Sequence, residues 1–396
     1  MKNDFFGFCI PLAKYIYILP DITPQDRTKP LLHKICAVII YVLALFCYFS
    51  EVVKLYQIVT GEYFVYDELI RNYTVSYFHF TSLIKAINIK GAISARAFKT
   101  IIGFEDNIYN GEDEDIRKVY KASVTPIQRV RKYYMAGMVM VVICYACAPA
   151  FRDPIEIQRE NETIRIRQLP VSAWSPVEEY FWLDFVWKSL VGAYLAYFFV
   201  TTDLILYSFI AFGACQVRIL QHYIHNFNRY CEEIMHTEGV PKNESARLLQ
   251  KQLIAMHQDV ISYVNMINGS IKQLMMLEFI PGSVQLAGML YQLMTNLNAI
   301  QCIFLGQFIS CLIARIFIYT NSANDLSQLS QQLAADWFEI DWIELPKDIK
   351  MNLNICILRC QKNLCITVGD LNAIDMTTFL TILKGSYSFL TLLTTI

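Results

Sequence analysis

The chain contains 396 residues, of which 55% are hydrophobic and 17% are charged, and its formal net charge at pH 7 is −1. Because soluble domains carry about 25% charged residues, this composition indicates a membrane protein. The near-zero net charge provides no basic field of the kind that nucleic-acid-binding proteins use, so no nucleic-acid partner is expected.

Seven stretches of the sequence are long and apolar enough to cross a bilayer as helices, for which about 20 residues are needed. The fifth is the weakest, because Glu278, Pro281 and Gly282 interrupt it. The stretches predict an all-α membrane protein with a single domain over residues 1–396. Their approximate bounds are 33–56, 69–89, 133–150, 181–212, 267–291, 298–320 and 366–396.

Lysine and arginine mark one set of connections, and cytoplasmic loops are enriched in both. They concentrate before the first span and between spans two and three, four and five, and six and seven. The loop at 151–180 lies on the opposite side and contains Asn161 in the sequence "NET", a glycosylation acceptor outside the cell. Both signals predict seven crossings, with the N-terminus cytoplasmic and the C-terminus extracellular.

The last predicted helix has one polar side. At 100° per residue, eight of its polar side chains fall within an arc of about 140°: Thr377, Thr381, Lys384, Tyr387, Ser388, Thr391, Thr394 and Thr395. A lysine near the middle of a span costs about 2.5–3.5 kcal/mol on insertion scales, so such charges usually face water or a partner. Two interpretations stay open. Either the arc lines a water path, or Lys384 snorkels while the threonines bond their own helix and pack between helices.

The final third of the chain carries the motifs "DWIELP", "RCQKNLCITVG" and "TFLTILKGSYSFLTLL". Together they resemble the closing signature of insect odorant receptors, as do "LPVSAWSP" after the third span and "CLIARIFIYTNSANDLSQ" around the sixth. The resemblance implies a tetrameric, odorant-gated, nonselective cation channel whose last helices surround a central pore. It also implies a partner, the shared co-receptor subunit, which has a long insertion between spans four and five. The corresponding segment here, 213–266, is short, so the chain is interpreted as an odorant-tuned subunit.

The resemblance also suggests roles for residues of the last helix. Leu390 is the candidate hydrophobic gate, which would close the pore by dewetting. Tyr387, Thr391, Thr394 and Lys384 would contact permeating water and ions. Because a lysine facing squarely inward would repel cations, Lys384 is expected in a wider cytoplasmic vestibule or paired with Asp375. The co-receptor ending has valines near the constriction, whereas this chain has Leu390, Thr391, Leu393 and Thr394, so its pore mouth would be more polar.

By the same resemblance, a volatile ligand would bind in the outer half of the bundle, between the second, third, fourth and fifth-to-sixth spans. Such a pocket should be apolar and aromatic with one or two hydrogen-bonding groups. For every candidate the alternative is an ordinary core or lipid contact. Lys188 and Asp203 in the fourth span are interpreted as structural. The candidates are Tyr73, Tyr77, Phe78, His79, Phe80, Met138, Val141, Tyr145, Trp187, Val191, Tyr194 and Tyr291.

Three functional classes compete to explain this pattern. A ligand-gated cation channel in the plasma membrane of a sensory-neuron dendrite fits the orientation, the last helix and the motifs. A G-protein-coupled receptor would need the opposite orientation and a cytoplasmic tail, and a transporter would show internal repeats with broken helices. No cluster of histidine, cysteine or carboxylate side chains has catalytic or metal-binding spacing, so no enzyme activity, metal or cofactor is expected. Residues 321–365, with Trp337 and Trp342, are interpreted as a cytoplasmic anchor between subunits or as a merely interfacial region.

Overall fold

The computed structural model of the protein describes residues 4–20, 30–61, 66–147, 149, 155–159, 162–166, 169–295 and 299–395. Within these ranges the chain is almost entirely helical, with two short β-hairpins. The helices are α1 (Cys9–Tyr15), α2 (Pro30–Thr60), α3 (Tyr66–Lys90), α4 (Ala92–Asn110), α5 (Glu114–Cys147), α6 (Phe181–His225), α7 (Phe227–Glu238), α8 (Lys242–Thr295), α9 (Ala299–Glu339), α10 (Lys347–Cys360) and α11 (Met376–Thr395).

The two hairpins lie in connections. Strands β1 (Ile155–Arg159) and β2 (Glu162–Ile166) pair antiparallel before α6, with Ile155 opposite Ile166. The predicted glycosylation site at Asn161 falls between them, outside the described residues. Strands β3 (Thr367–Val368) and β4 (Asn372–Ala373) precede α11.

Helix α6 forms the centre of the bundle. Every residue from Phe198 to Val217 is buried, as expected for a helix that is apolar all round. Helices α3, α5, α8 and α9 pack around it, while α2 packs on α3 and α11 packs on α8 and α9. The long helices α5, α6, α8 and α9 extend beyond the predicted spans. Their extensions, together with α4, α7 and α10, surround a continuous core that includes the fully buried Trp337.

Three predicted features need correction. The interruption expected in the fifth span is absent from the described chain, because α8 runs unbroken through Pro281 and Gly282. The last span does not begin at residue 366: residues 366–375 contain the β3–β4 hairpin, which turns at Gly369 in a left-handed conformation (φ 58°). Helix α5 begins at Glu114, well before the predicted residue 133.

Five of the described helices are long and apolar enough to cross a membrane: α2, α5, α6, α8 and α9. Helices α3 and α11 have 25 and 20 residues, which is sufficient length, but they carry charged and hydroxyl-bearing side chains among their apolar ones and are not among these five. Polar side chains on a membrane-spanning helix need partners within the protein or contact with water.

Candidate functional site

A cavity of about 100 Å³ lies between α3, α5, α6 and α9, under the segment at 169–175. For comparison, a dry apolar cavity of about 150 Å³ holds benzene, so the volume suits an occupant of about one small ring. Most of the lining is apolar or aromatic. The lining residues are Val75, Phe78, His79, Tyr134, Met138, Val141, Val142, Tyr145, Ala146, Pro170, Val171, Ser189, Gly192, Ala193, Leu195, Ala196, Phe199, Phe308, Cys311, Leu312 and Arg315.

Small residues of α6 make room for this cavity. Gly192, Ala193 and Ala196 stand on an otherwise bulky helix, and a Cβ atom on Gly192 would lie only 2.9 Å from Val171 Cγ2. The covering segment that contains Val171 is fixed to α2 and α3 by hydrogen bonds. The backbone N–H of Trp174 donates to the Ser50 carbonyl (3.0 Å), and Asn72 Nδ2 donates to the Ser172 carbonyl (2.7 Å).

Five of the predicted ligand-contacting residues line the cavity: Phe78, His79, Met138, Val141 and Tyr145. The ring centroid of Phe78 lies 4.7 Å from that of Phe199 and 5.8 Å from that of Phe308. Helix α5 presents its three residues at the expected helical spacing. The cavity therefore brings together one aromatic residue from each of α3, α6 and α9. Phe199 of α6 and Phe308 of α9 were not among the predicted candidates.

The other seven predicted residues lie outside this cavity: Tyr73, Tyr77, Phe80, Trp187, Val191, Tyr194 and Tyr291. On α6, the predicted residues lie on a different face from the one that lines the cavity. Trp187, Val191 and Tyr194 pack toward α2 around Cys47. On α3, Phe80 stacks on Tyr48 of α2, with 6.1 Å between ring centroids. Tyr77 donates its hydroxyl hydrogen to the Leu277 carbonyl of α8. Helical periodicity predicted the face of α5 that lines the cavity but not that of α6, and no predicted candidate lies on α9.

One polar residue of the lining is held by a buried carboxyl group. His79 Nδ1 lies 3.3 Å from Glu51 Oε2, and both side chains are almost fully buried. The ring of Tyr48 packs edge-on against the histidine at 5.6 Å. Within the described structure, His79 Nε2 has no hydrogen-bond partner. The imidazole is thus held at one nitrogen only among the described residues.

A buried charge cluster closes the cavity on another side. Lys85 Nζ lies 2.5 Å from Asp203 Oδ1 and 2.5 Å from Glu278 Oε1, and Arg315 Nη1 bonds the second oxygen of Glu278. The hydroxyl of Tyr134 donates to Asp203 Oδ2 at 2.9 Å. Two cations and two anions from α3, α6, α8 and α9 therefore balance one another, as buried charges require.

The charge cluster settles two interpretations of the sequence. Asp203 and Lys188, both expected to be structural, have different partners: Asp203 binds Lys85 of α3, whereas Lys188 Nζ binds Asp184 Oδ2 at 2.9 Å, one turn earlier on α6. Glu278 does not weaken α8, because it is neutralised by Lys85 and Arg315. The sequence does contain a signal for this cluster. Two basic and two acidic residues each stand inside an apolar stretch, so their charges can balance in the folded bundle.

Helix α11 exposes its polar strip, defined as Thr377, Thr381, Lys384, Tyr387, Ser388, Thr391 and Thr394. All seven side chains are exposed, and Tyr387 is 66% exposed. The opposite face packs against the same subunit through Phe379, Ile382 and Ser386, and the rings of Phe379 and Phe317 are 5.6 Å apart. Leu390 is half-buried at the border between the faces. The strip therefore points away from the bundle that carries it.

Hydroxyl groups of the strip also bond their own helix. Thr381 donates to the Thr377 carbonyl (2.8 Å) and Thr394 to the Thr391 carbonyl (2.9 Å). Asp375, the expected partner of Lys384, instead caps the start of α11 by accepting from the Thr378 N–H at 2.8 Å and the Thr377 hydroxyl at 2.6 Å. This self-bonding occupies the hydroxyl hydrogen but leaves oxygen lone pairs that can accept from water.

The described residues contain no group of three or more histidine, cysteine or carboxylate side chains that could hold a metal ion. Buried cysteines such as Cys356 and Cys360 pack in the core around α10 instead. The lining of the cavity combines apolar walls with a few hydrogen-bonding groups.

Comparison with known proteins gives a consistent result. The family model "7tm Odorant receptor" matches residues 65–387. Odorant receptor 10 of Aedes albopictus is 31% identical over 196 residues, which are 50% of this chain and 48% of that receptor. Odorant receptor Or2 of Anopheles gambiae is 27% identical over 143 residues, or 36% of this chain and 38% of that receptor. The matched part of the chain thus spans about half or less of the length of these relatives.

The fold is similar to that of a solved structure, the insect olfactory receptor OR5 from Machilis hrabei in complex with eugenol. The TM-score is 0.78 over 99% of this chain and 96% of that chain, with 11% sequence identity. At that identity the likeness shows the fold alone. These relatives are odorant receptors and not enzymes. Because the family model covers most of its length, the chain belongs to the insect odorant receptor family.

Proposed function

We propose that the protein is the odorant-binding subunit of a ligand-gated, nonselective cation channel, which it forms with a co-receptor subunit as a heterotetramer. The observation that carries this proposal is the exposed polar strip of α11, which points away from the bundle of its own subunit. A helix facing only lipid would be expected to expose apolar side chains there. Four such strips around one axis would form a wettable conduit.

The cavity between α3, α5, α6 and α9 is the proposed odorant site. Its apolar walls match a small volatile molecule, and its few polar atoms would orient the ligand. The relative from Machilis hrabei was solved with eugenol bound, which supports the view that this fold accepts a small organic ligand. The proposed topology is the seven-crossing one, with a cytoplasmic N-terminus, an extracellular C-terminus and placement in the dendritic plasma membrane.

A physical path joins the cavity to the pore helix. Arg315 lines the cavity and bonds Glu278 of α8, and α8 packs along α11. A ligand that binds the open arrangement more tightly would shift α8 and α9 and, with them, the strip and Leu390, the proposed gate. A ligand with equal affinity for the closed and open arrangements would not change the equilibrium between them.

Current recordings test the proposal. The chain is expressed with a co-receptor subunit in cells that lack other odorant receptors, and a panel of volatile compounds is applied. The proposal predicts a cation current that needs both subunits and a ligand, within milliseconds and without added nucleotide. A ligand response that requires G proteins, or a response that persists without any transmembrane current, would contradict it.

The alternative of a G-protein-coupled receptor differs in orientation. An epitope placed after Ile396 should bind antibody on intact cells if the C-terminus is extracellular. Binding only after permeabilisation would favour the alternative. A transporter is distinguished by flux of the ligand itself, which the channel proposal does not predict.

A further inference from the structure

One exposed face of α5 is apolar toward the end of the helix and basic toward its start. Val139 and Ile143 are 51% and 52% exposed. Because α5 is long and apolar enough to cross a membrane, this part of the face lies against lipid acyl chains. At 100° per residue, the apolar and basic parts share one arc of about 80°. The residues of this face are all exposed: Lys121, Thr125, Arg129, Lys132, Ala136, Val139 and Ile143.

The change from apolar to basic marks the level at which α5 leaves the hydrocarbon core of the membrane. Tyr133 stands at this change and is 77% exposed, and tyrosine is enriched at membrane–water interfaces. Lys132 therefore lies at the level of the lipid headgroups, and Arg129 lies about 4.5 Å further along the axis at 1.5 Å per residue. The headgroup layer is roughly 5–7 Å thick on each side of the membrane, so it accommodates both side chains.

The charges of these two residues are not balanced by the subunit itself. Neither Arg129 nor Lys132 has an ion pair or a side-chain hydrogen bond with any residue that the structure describes. The acidic residues of α5 stand in its first turn, where Asp115 pairs with Arg229 at 2.6 Å. Three residues apart, the two cations are neighbours on the helix surface and repel each other. An anion between them would remove this repulsion, and the planar guanidinium of arginine matches the geometry of a phosphate.

We propose that Arg129 and Lys132 bind the headgroup of an anionic phospholipid whose acyl chains lie along the apolar part of the same face. The inference goes beyond the proposed channel function and depends only on α5 crossing the membrane. In the proposed topology the site lies in the cytoplasmic leaflet, which carries the anionic lipids that attract basic residues. The lipid links the two cations to the membrane and fixes the depth at which α5 sits.

Photo-crosslinking with lipid probes tests the site. The receptor and its co-receptor are reconstituted into phosphatidylcholine vesicles that contain a trace of phosphatidylserine with a diazirine on one acyl chain. Labelling of α5 is quantified by peptide mass spectrometry and compared with labelling by the same probe with a choline headgroup. Each basic residue near an anionic membrane surface adds about fivefold in affinity, so the two residues predict a preference of about tenfold or more for the serine probe.

Three variants connect the preference to the two residues. Arg129→Gln combined with Lys132→Gln should lower the preference below about twofold. Arg129→Lys combined with Lys132→Arg keeps both charges and should retain most of it. Lys121→Gln is the matched control, because it removes a cation from the same face about 16 Å from Lys132, beyond the headgroup layer, and should keep the full preference. Equal labelling by the choline probe in all variants shows that they fold.

Several results would overturn the inference. They are equal labelling of α5 by the two probes, a preference that survives the double glutamine variant, or a loss in Lys121→Gln as large as in that variant. Competition by inorganic phosphate, but not by chloride at the same ionic strength, would also overturn it, because a soluble anion would then be the ligand. These measurements need neither odorant nor current. Failure of the proposed function is therefore a separate result, the absence of ligand-gated current for every volatile tested.

Discussion

Tyr77 of α3 donates its hydroxyl hydrogen bond to the Leu277 carbonyl of α8. Leu277 lies four residues before Pro281, which has no N–H, so this carbonyl lacks its usual partner within the helix. The tyrosine supplies that partner from a neighbouring helix. This contact accounts for the unbroken course of α8 through Pro281 and gives Tyr77 a structural role.

Removing this hydroxyl should destabilise the receptor only while the proline is present. We expect Tyr77→Phe to cost roughly 1–3 kcal/mol, because it leaves a buried carbonyl unsatisfied. In a Pro281→Ala background, the new backbone N–H bonds the Leu277 carbonyl, and the cost of Tyr77→Phe should fall sharply. The measurement is a double-mutant cycle on the thermal unfolding midpoint of the purified receptor. Tyr73→Phe, on the same helix and half-exposed, is the control. Equal effects in both backgrounds would show that the hydroxyl does not serve the proline.

The charge cluster predicts a non-additive pair of substitutions. Glu278→Gln or Arg315→Met alone leaves an uncompensated charge in the bundle, at a cost of roughly 3–5 kcal/mol. The double variant removes one charge of each sign and should recover most of the surface expression. Lys272→Met, on the same helix as Glu278, breaks a more exposed pair with Asp370 and should matter little. If the double variant lost as much surface expression as the two single variants together, the charges of Glu278 and Arg315 would not be balancing each other.

Glu105 of α4 predicts that the stability of the receptor depends on pH. It accepts the backbone N–H groups of Asp4 and Phe5 at 2.8 and 3.3 Å, and burial raises its pKa to about 7. The folded state then holds a proton that the unfolded state loses near its ordinary pKa of about 4.5. Stability should therefore fall as pH rises from about 4.5 to 7 and stay level above that window.

Glu105→Gln keeps the acceptor oxygen and removes the titration. Its thermal midpoint should vary less with pH across this window than that of the unmodified receptor, and Glu112→Gln, an exposed neighbour, should not change the profile. An unchanged pH profile in Glu105→Gln would show that the carboxyl group titrates as it does in water.

Gly192 predicts a steric limit on the ligand. A methyl group at this position would meet Val171 Cγ2 at 2.9 Å, so Gly192→Ala must displace the covering segment or narrow the cavity. We expect half-activating concentrations to rise more for bulky ligands than for small ones, by about tenfold for one lost contact of 1.4 kcal/mol. Gly103→Ala, where a Cβ meets open space, should leave the ranking of ligands unchanged. A uniform change for all ligand sizes would point to folding instead of fit.

Much of the architecture could be predicted from the sequence because apolar stretches of bilayer length have few alternatives. Each of the seven predicted spans overlaps one helix, the last of them only from Met376 onward, and the polar strip of α11 lies on an exposed face as helical periodicity implies. Local pattern also predicted that Met138, Val141 and Tyr145 share a face of α5.

The remaining features depend on tertiary contacts. Pro281 and Glu278 look like interruptions in the sequence because their compensation comes from Tyr77, Lys85 and Arg315, which are distant in sequence. Trp187, Val191 and Tyr194 of α6 lie outside the cavity, because the pattern of large aromatics does not show where Gly192 and its small neighbours leave space. Burial of Phe5 and Phe6 at the N-terminus likewise depends on α4 and α6.

The central claim is that the polar strip of α11 meets water at an axis shared between subunits. Its most direct test is the accessibility of single cysteines introduced at Tyr387, Thr391 and Thr394, with Ile382 and Ser386 as buried positions on the opposite face. A positively charged thiol reagent is applied to open channels containing the co-receptor, and current is compared with the unmodified chain. The account predicts rapid loss of current at the three strip positions and none at the two buried ones. Unchanged current at all three strip positions would contradict it.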